Sequence, residues 1–265
     1  MALAAPYWTT ALFPLAAPLP PLPVLNHLEL FLRADVGVFA DAGLTIPATN
    51  GAVVKGWQDQ SGNSGRDATV SLGLNNPPVF TTGVTPTNKP GVRFFGAQGT
   101  NNQGQLQGAL PGGGLGNARG YTYYMWLHEL TVNAPKPISN TQQILACEVG
   151  SGVKLIPDDW SFSAGDNVAS GVIGNPNFVG DQRWAVVYHG PTDGSAKLHE
   201  LIVNGISVTN TTGLPMDLQT SYTLSGNSGG NVCFDGYLAC LLVYTDTHTA
   251  AQVLQVVGWM TTVFG

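Results

Sequence analysis

Apolar and polar positions alternate with a period of two over several short stretches, the pattern of strands that turn one face to a core. Leu28, Leu30 and Leu32 alternate with Glu29, Phe31 and Arg33. Further strands are predicted over Ile144 to Val149, Trp184 to Tyr188 and Leu198 to Val203. Asn204-Gly205, between Leu201-Ile-Val203 and Ile206-Ser-Val208, is the signal of a type I′ hairpin. Tyr121 to Leu130 is different. One face would carry Tyr121, Tyr123, Met125, Leu127 and Glu129, and the other Thr122, Tyr124, Trp126, His128 and Leu130. Both are largely apolar or aromatic, so at least one is expected to leave the core for an interface or a ligand. From Tyr237 to Tyr244 the chain is nearly all apolar and uncharged. That predicts a strand buried on both faces, or one whose second face meets another layer. After it, Thr245-Asp246-Thr247 offers cap chemistry, and Val253, Leu254, Val256, Val257 and Met260 supply a helical stripe over Thr249 to Val263.

The segments between are turn-rich. The chain of 265 residues holds 34 glycines and 18 prolines, so an all-β, loop-rich body is expected. Asp41 to Val54 is expected to bring a hairpin, and Lys89-Pro90-Gly91 a turn into a short strand. Gln98 to Gly120 reads as a low-complexity Gly/Asn/Gln loop. Its Pro111-Gly-Gly-Gly-Leu-Gly-Asn117 run lacks the Gly-Lys-Ser/Thr ending of a phosphate loop. Trp57 leads into a Gly/Asn/Ser/Asp turn, where a tryptophan anchors a strand end and acid side chains cap loop amides.

Residues 1–27 form a separate segment, and 28–265 the domain. Pro6, Pro14, Pro18, Pro20, Pro21 and Pro23 forbid a regular helix, and no Asp, Glu, Lys or Arg stands before Glu29. No basic n-region with an uninterrupted apolar core opens the chain, so no signal peptide is recognised. The segment is apolar through Trp8, Leu12, Phe13, Leu15, Leu19 and Leu22. It is expected to be an arm that docks residues 1–25 on other protein subunits, in a homo-oligomer, with a strap on its own body as the alternative.

Charge narrows the partners. Only 10% of residues are charged and the net charge is −6, which argues against nucleic acid as a partner. No proline-free apolar run reaches 18 residues, so no transmembrane helix is expected. Cys147, Cys233 and Cys240 make no disulfide framework and fit no zinc spacing, so they read as free buried thiols.

The set Leu30-Phe-Leu-Arg-Ala-Asp35, Trp57-Gln-Asp-Gln-Ser-Gly-Asn63, Pro90-Gly-Val-Arg-Phe94, Ile202-Val-Asn-Gly205 and Phe234-Asp-Gly-Tyr-Leu-Ala239 resembles the LamG-like, concanavalin A-like lectin/glucanase superfamily. The resemblance spans about residues 28 to 265. It implies a jelly-roll sandwich of two antiparallel sheets, closed by a short C-terminal helix. It leaves function open, since members bind sugars, bind proteins or build surfaces. Where the family often has Asp-Ile-Ala-Glu after the Phe-Asp-Gly turn, this chain has Tyr237-Leu-Ala-Cys240, which implies a covered outer face.

A glucanase of this kind needs two convergent carboxylates about 5–5.5 Å apart. Glu29, Glu129, Glu148 and Glu200 are each the only carboxylate in their strand, so no catalytic residues are expected. Calcium is the family's common ion, with Asp59, Asp67, Asp158, Asp159 and Asp235 as candidate ligands and turn capping as the alternative. No cofactor is otherwise expected. For stacking a cell-surface glycan, Tyr124, Trp126, Trp160, Tyr222 and Asn227 are the candidates. The expectation is a non-catalytic structural module on a virion surface, in capsid decoration or a tail. A carbohydrate-binding adhesin, or a module of a secreted glycan-acting protein, is the alternative.

Overall fold

The computed structural model describes residues 20–72, 76–95, 104–110, 120–129, 145–148, 154–156, 161–163, 170–172, 180–189, 197–212, 218–225 and 234–265. Among them the chain runs through β1 (Leu28–Arg33), β2 (Val38–Phe39), β3 (Gly56–Trp57), β4 (Ala68–Leu72), β5 (Val79–Thr81) and β6 (Gly91–Phe94). There follow β7 (Gln105–Ala109), β8 (Tyr121–Glu129), β9 (Leu145–Glu148), β10 (Lys154–Ile156), β11 (Ser161–Ser163) and β12 (Ser170–Val172). The last part holds β13 (Gly180–His189), β14 (Lys197–Val203), β15 (Ile206–Thr212), β16 (Leu218–Leu224), β17 (Gly236–Tyr244) and helix α1 (Ala250–Phe264).

Two antiparallel sheets carry the body, an all-β sandwich as the pattern predicts. Sheet A is ordered β15-β14-β13-β8-β17-β6-β5, with β1 also paired to β17. Sheet B is ordered β2-β3-β4-β7-β16-β9. β10, β11 and β12 form a small third sheet. β17 lies at the middle of sheet A. Its first half pairs with β6, its second half with β1, and its full length with β8 across a register shift between Leu238 and Cys240.

Strand periodicity divides the apolar residues between two cores. Tyr121, Tyr123, Met125 and Leu127 of β8 join Leu238, Leu241 and Val243 of β17 in the core between the sheets, facing Trp57, Ala68, Leu106, Tyr222 and Leu224 of sheet B. Tyr124 and Trp126, with Ala239, Cys240, Leu242 and Tyr244, point the other way into a second core closed by α1. Both faces of β8 are apolar because both are buried. The outer face of β17 is likewise covered from Leu238 onward, whereas Tyr237, at the first of the missing acid positions, is partly exposed.

Helix α1 starts at a capping box. Thr249 accepts from the Gln252 amide, and the Gln252 side chain accepts from the Thr249 amide. Val253, Val256, Trp259, Met260, Val263 and Phe264 face the sheet. The predicted stripe included Leu254 and Val257, but Leu254 is exposed and Val257 only partly buried, because the buried face includes Trp259.

Part of the predicted arm also packs here. Trp259 Nε1 donates to the Pro20 carbonyl at 2.9 Å, and the Tyr244 phenol donates to the Val24 carbonyl at 3.0 Å. Val24 is buried and Leu22 packs on the same cluster. Leu22, expected to meet another subunit, therefore meets its own domain. Trp8, Leu12, Phe13, Leu15 and Leu19 lie outside the described residues.

The predicted loop Gln98 to Gly120 contains β7, a strand inside sheet B between β4 and β16. Its sequence is Gln-Leu-Gln-Gly-Ala, and only Leu106 looks like a strand residue. Tertiary partners make up the deficit. Gln105 Nε2 donates to the Ser225 carbonyl, and Gly108 leaves room for the Tyr222 ring, which a Cβ there would meet at 2.5 Å. The Asn204-Gly205 hairpin is as predicted. Both residues have positive φ, 48° and 87°, and join β14 to β15 at Val203 and Ile206.

The loop after Trp57 is pinned to β1. Trp57 is fully buried, and its Nε1 donates to the Arg33 carbonyl at 2.9 Å. Asp59 accepts from the Phe31 amide at 2.7 Å, and Asn63 donates to the Leu28 carbonyl at 2.9 Å. Arg66 pairs with Glu29 at 2.9 Å. Truncating Trp57 to alanine removes both the ring and its hydrogen bond. Thermal and chemical unfolding of Trp57→Ala should show a loss of about 3–5 kcal/mol, with Tm falling in step.

His248 sits in the turn before α1 and is 3% exposed. It shares a 2.7 Å hydrogen bond with the Tyr124 phenol through Nδ1, and its backbone amide donates to Thr122 Oγ1. Its buried Nε2 has no hydrogen-bond partner among the described residues. Burial pushes its pKa down to about 4; Asp246 opposes the shift and His27 adds to it. The folded state therefore binds fewer protons than the unfolded chain between pH 6.5 and about 4. The stability His248 contributes is complete above pH 6.5 and is lost as pH falls toward 4, at up to about 1.4 kcal/mol per pH unit. Urea titrations of wild type and His248→Phe across pH 4–7 should show a shallower acid slope in the variant.

A candidate binding face beyond the end of the helix

Helix α1 does not cover the whole outer face of sheet A. Its end is held by the Gly265 carbonyl oxygen, which accepts from Arg183 Nη1 at 2.6 Å and Trp126 Nε1 at 3.3 Å. Arg183 and Trp126 are directly opposite each other on β13 and β8. Two residues along these strands, on the same face, come Asp181 and His128, also opposite each other. The row continues from His128 to Tyr237 on β17, Arg93 on β6 and Val79 on β5. It crosses five adjacent strands, and each of its residues is partly exposed.

Contacts order this row. His128 Nδ1 and Asp181 Oδ1 are 2.8 Å apart. The His128 ring meets Tyr237 edge-on at 6.0 Å between centroids. The Arg93 guanidinium lies 5.4 Å from the Tyr237 centroid and 4.6 Å from that of Phe95. Arg93 Nη2 donates to Asp235 Oδ1 at 2.6 Å, and Nη1 to the carbonyls of Phe94 and Gly236. The side chains of Arg93 and Asp235 are only 14% and 13% exposed, so the pair is a fixed part of the face. Each charge has an opposite or polar partner: Arg93 with Asp235, His128 with Asp181, and Arg183 with the Gly265 oxygen. The result is a tyrosine ring flanked by hydrogen-bonding groups.

The stacking residues proposed from sequence lie elsewhere. Tyr124, Trp126 and Tyr222 are fully buried, and a ring with no exposed face offers a sugar nothing to stack on. Their polar atoms turn inward: Tyr124 to His248, Trp126 to Gly265 and Tyr222 to the Arg66 carbonyl. Burial raises the Tyr124 phenol far above its usual pKa, with Tyr244 adding to the rise. Trp160 and Asn227 lie outside the described residues, as do Asp158 and Asp159.

The other candidate calcium ligands are occupied by donors. Asp59 accepts from the amides of Phe31 and Ser61 and from the Ser61 hydroxyl. Asp67 accepts from the Asp59 amide at 2.8 Å, and Asp235 pairs with Arg93. These carboxylates face N–H and O–H groups or a guanidinium, an arrangement that does not fit a cation. Among the described residues no three His, Cys, Asp or Glu side chains gather as metal ligands.

Register also separates the two strand acids that sequence left open. Glu200 lies in the row of Val187 and Thr122, whereas Glu129 lies opposite Gly180. Seven residues of β8 part the two rows, roughly 23 Å at about 3.3 Å per residue. Glu200 accepts from the Ser207 hydroxyl at 2.5 Å. The two therefore make no glycosidase pair.

Sequence reasoning missed the row because its members are far apart in the chain. His128 was seen only on one face of a strand, and Tyr237 only as a departure from a family pattern. Partial exposure of one aromatic amid paired charges is a property of the folded sheet alone.

No protein-family model matches the chain, and no curated protein matches it in sequence. Solved structures do match. Domain 4 of AbnA, a GH43 extracellular arabinanase from Geobacillus stearothermophilus in complex with arabinotriose, aligns at TM-score 0.56 and 17% identity, over 87% of this chain and 98% of that one. Trypanosoma rangeli sialidase in complex with sialic acid aligns at TM-score 0.51 and 14% identity, over 94% of this chain and 36% of that one. The botulinum neurotoxin type G receptor binding domain aligns at 0.53 and 10% identity, over 79% and 51%. The chain thus spans nearly all of the arabinanase domain, but about a third of the sialidase and half of the toxin domain. At these identities the likeness shows a fold, the β-sandwich. It does not single out the LamG-like branch.

The Arg93–Asp235 pair is the most enclosed charge contact of the row. Replacing Arg93 with methionine leaves a carboxylate 13% exposed without its guanidinium, which should cost about 1–3 kcal/mol. Asp235→Asn in the Arg93→Met background should recover part of that loss. A double-mutant cycle by urea denaturation measures the coupling.

Proposed function

We propose that the chain is a carbohydrate-binding β-sandwich module with no catalysis of its own, and that the row Asp181–His128–Tyr237–Arg93 is its binding face. The observation that carries this reading is the partly exposed Tyr237 ring, fixed between Arg93 and His128 where the helix stops covering the sheet. An amphipathic ring offers an apolar face to the C–H groups of a sugar, while neighbouring polar groups meet its hydroxyls. The paired charges favour an uncharged glycan over an acidic one, because a carboxylate ligand would have to compete with Asp235 or Asp181.

Two of the structural neighbours are a domain and an enzyme in complex with arabinotriose and with sialic acid, and the third is a receptor binding domain. Their shared fold supports a binding role. The order of motifs from Leu30 to Ala239 supports a place in the LamG-like, concanavalin A-like superfamily. The separation of Glu129 and Glu200 supports the absence of a glycosidase pair. The expected virion role draws no support from these neighbours.

Immobilised arabinan, galactan, β-glucan and sialylated oligosaccharides test the proposal by surface binding. Binding to at least one neutral glycan is expected, without release of reducing ends. Tyr237→Ala should weaken it at least tenfold while circular dichroism and Tm stay close to wild type. Lack of binding across the panel, or unchanged binding by Tyr237→Ala, would overturn it.

A further inference from the structure

Phe95 stands one residue beyond β6, on the same sheet face as Arg93. Strand alternation sends Phe94 into the core between the sheets and leaves Arg93 and Phe95 on the outer side. Phe95 is partly exposed, as Tyr237 is, and neither ring packs in either core. The Arg93 guanidinium touches both, 4.6 Å from the Phe95 centroid and 5.4 Å from that of Tyr237. Its own position is fixed by Asp235 and by the carbonyls of Phe94 and Gly236, so the fold sets the spacing of the two rings. Tyr237 is opposite Arg93, which puts Phe95 one strand over and two residues along. One strand spacing of about 4.8 Å and two residues of about 3.3 Å each place the two Cα atoms roughly 8 Å apart.

We infer that Phe95 is a second stacking residue, and that the face takes a linear uncharged glycan of at least three sugar residues along its length rather than a single terminal sugar. This rests on the reading of the row as a glycan site. A sugar ring is about as wide as one strand spacing, about 4.8 Å, so one ring covers Tyr237 or Phe95 and not both. Bridging the two takes at least two linked rings. The path beyond Tyr237 is set by the surroundings. Toward the helix the next row holds Trp126, fully buried and bonded to the Gly265 oxygen, which closes that direction. Along the row lies His128, its ring 6.0 Å from Tyr237 between centroids, and then Asp181. A third sugar ring would meet this hydrogen-bonding pair. β14 ends at Val203, opposite Trp184, and the chain turns at Asn204-Gly205. The β14–β15 hairpin therefore does not run alongside Asp181, and a chain lying over the pair meets no strand of that hairpin. Phenylalanine has no polar atom to offer a sugar hydroxyl, so its contribution is the apolar ring face alone.

The test measures competition by arabino-, galacto- and gluco-oligosaccharides, from monosaccharide to hexasaccharide, against the protein bound to the corresponding immobilised polymer. In at least one series the trisaccharide should compete at least tenfold better than the monosaccharide. Phe95→Ala should remove that gain, and Phe95→Tyr, which keeps a ring, should retain it. Circular dichroism and Tm check the fold of each variant, and Phe95→Leu replaces Phe95→Ala if the latter folds poorly. Equal competition by all lengths, or a length gain that survives Phe95→Ala or Phe95→Leu, would overturn the inference while leaving the binding reading in place. No binding to any polymer would overturn both.

Discussion

A stretch of strand with no wet face, Leu238 to Tyr244 of β17, imposes the architecture. From Leu238 to Tyr244 every side chain of β17 is buried, on alternate sides of one sheet. Backbone groups bond within the sheet, but side chains on both faces need cover, which takes two further layers. Sheet B provides one and α1 with the strap from Pro20 the other. β8, paired to β17 along its length, inherits the same requirement. This is why its aromatic residues split so evenly, Tyr121 and Tyr123 inward and Tyr124 and Trp126 outward. Burying one such large side chain stabilises by roughly 1.5–3 kcal/mol, so each layer rests on several.

The candidate face follows from where that cover ends. α1 is anchored through Gly265 by Arg183 and Trp126, and the residues of the next row on the same sheet face are partly exposed. A row half open to water can hold charges that a covered one cannot. Arg93, Asp181, Asp235 and His128 occur together here, each with a partner. Tyr237 is thereby held in place by its neighbours, and a ligand at the proposed face would meet a lower ordering cost.

Acids elsewhere serve the backbone. Asp59, Asp67 and Asn63 bond amides and carbonyls of the loop after Trp57 and of β1, and Asp41 caps the amides of Thr45 and Ile46. Those backbone hydrogen bonds hold the Asp41 carboxyl below its usual pKa, Ile46 contributing most. In a chain so poor in charge, most carboxylates described here terminate turns or pair with a cation. That use explains why acidic residues looked like metal ligands in sequence and do not gather as such in space.

The alternation of apolar residues, the uncharged run before the last turn and the Asn-Gly hairpin depend on local geometry, and sequence alone determined them. The β-sandwich, the terminal helix and the anchoring of the loop by Trp57 were legible for that reason. β7 was not, because Gln-Leu-Gln-Gly-Ala becomes a strand only between β4 and β16, with Tyr222 filling the space above Gly108. Nor could sequence tell which aromatic residues face water. Trp126 and Tyr237 look alike as strand residues, and the difference lies in the point where α1 stops. Tyr237 gained its neighbours His128 and Arg93 from strands more than a hundred residues away in the chain. Cross-strand proximity of that kind is set by register, and register depends on the whole sheet. Tertiary structure alone therefore decided the site.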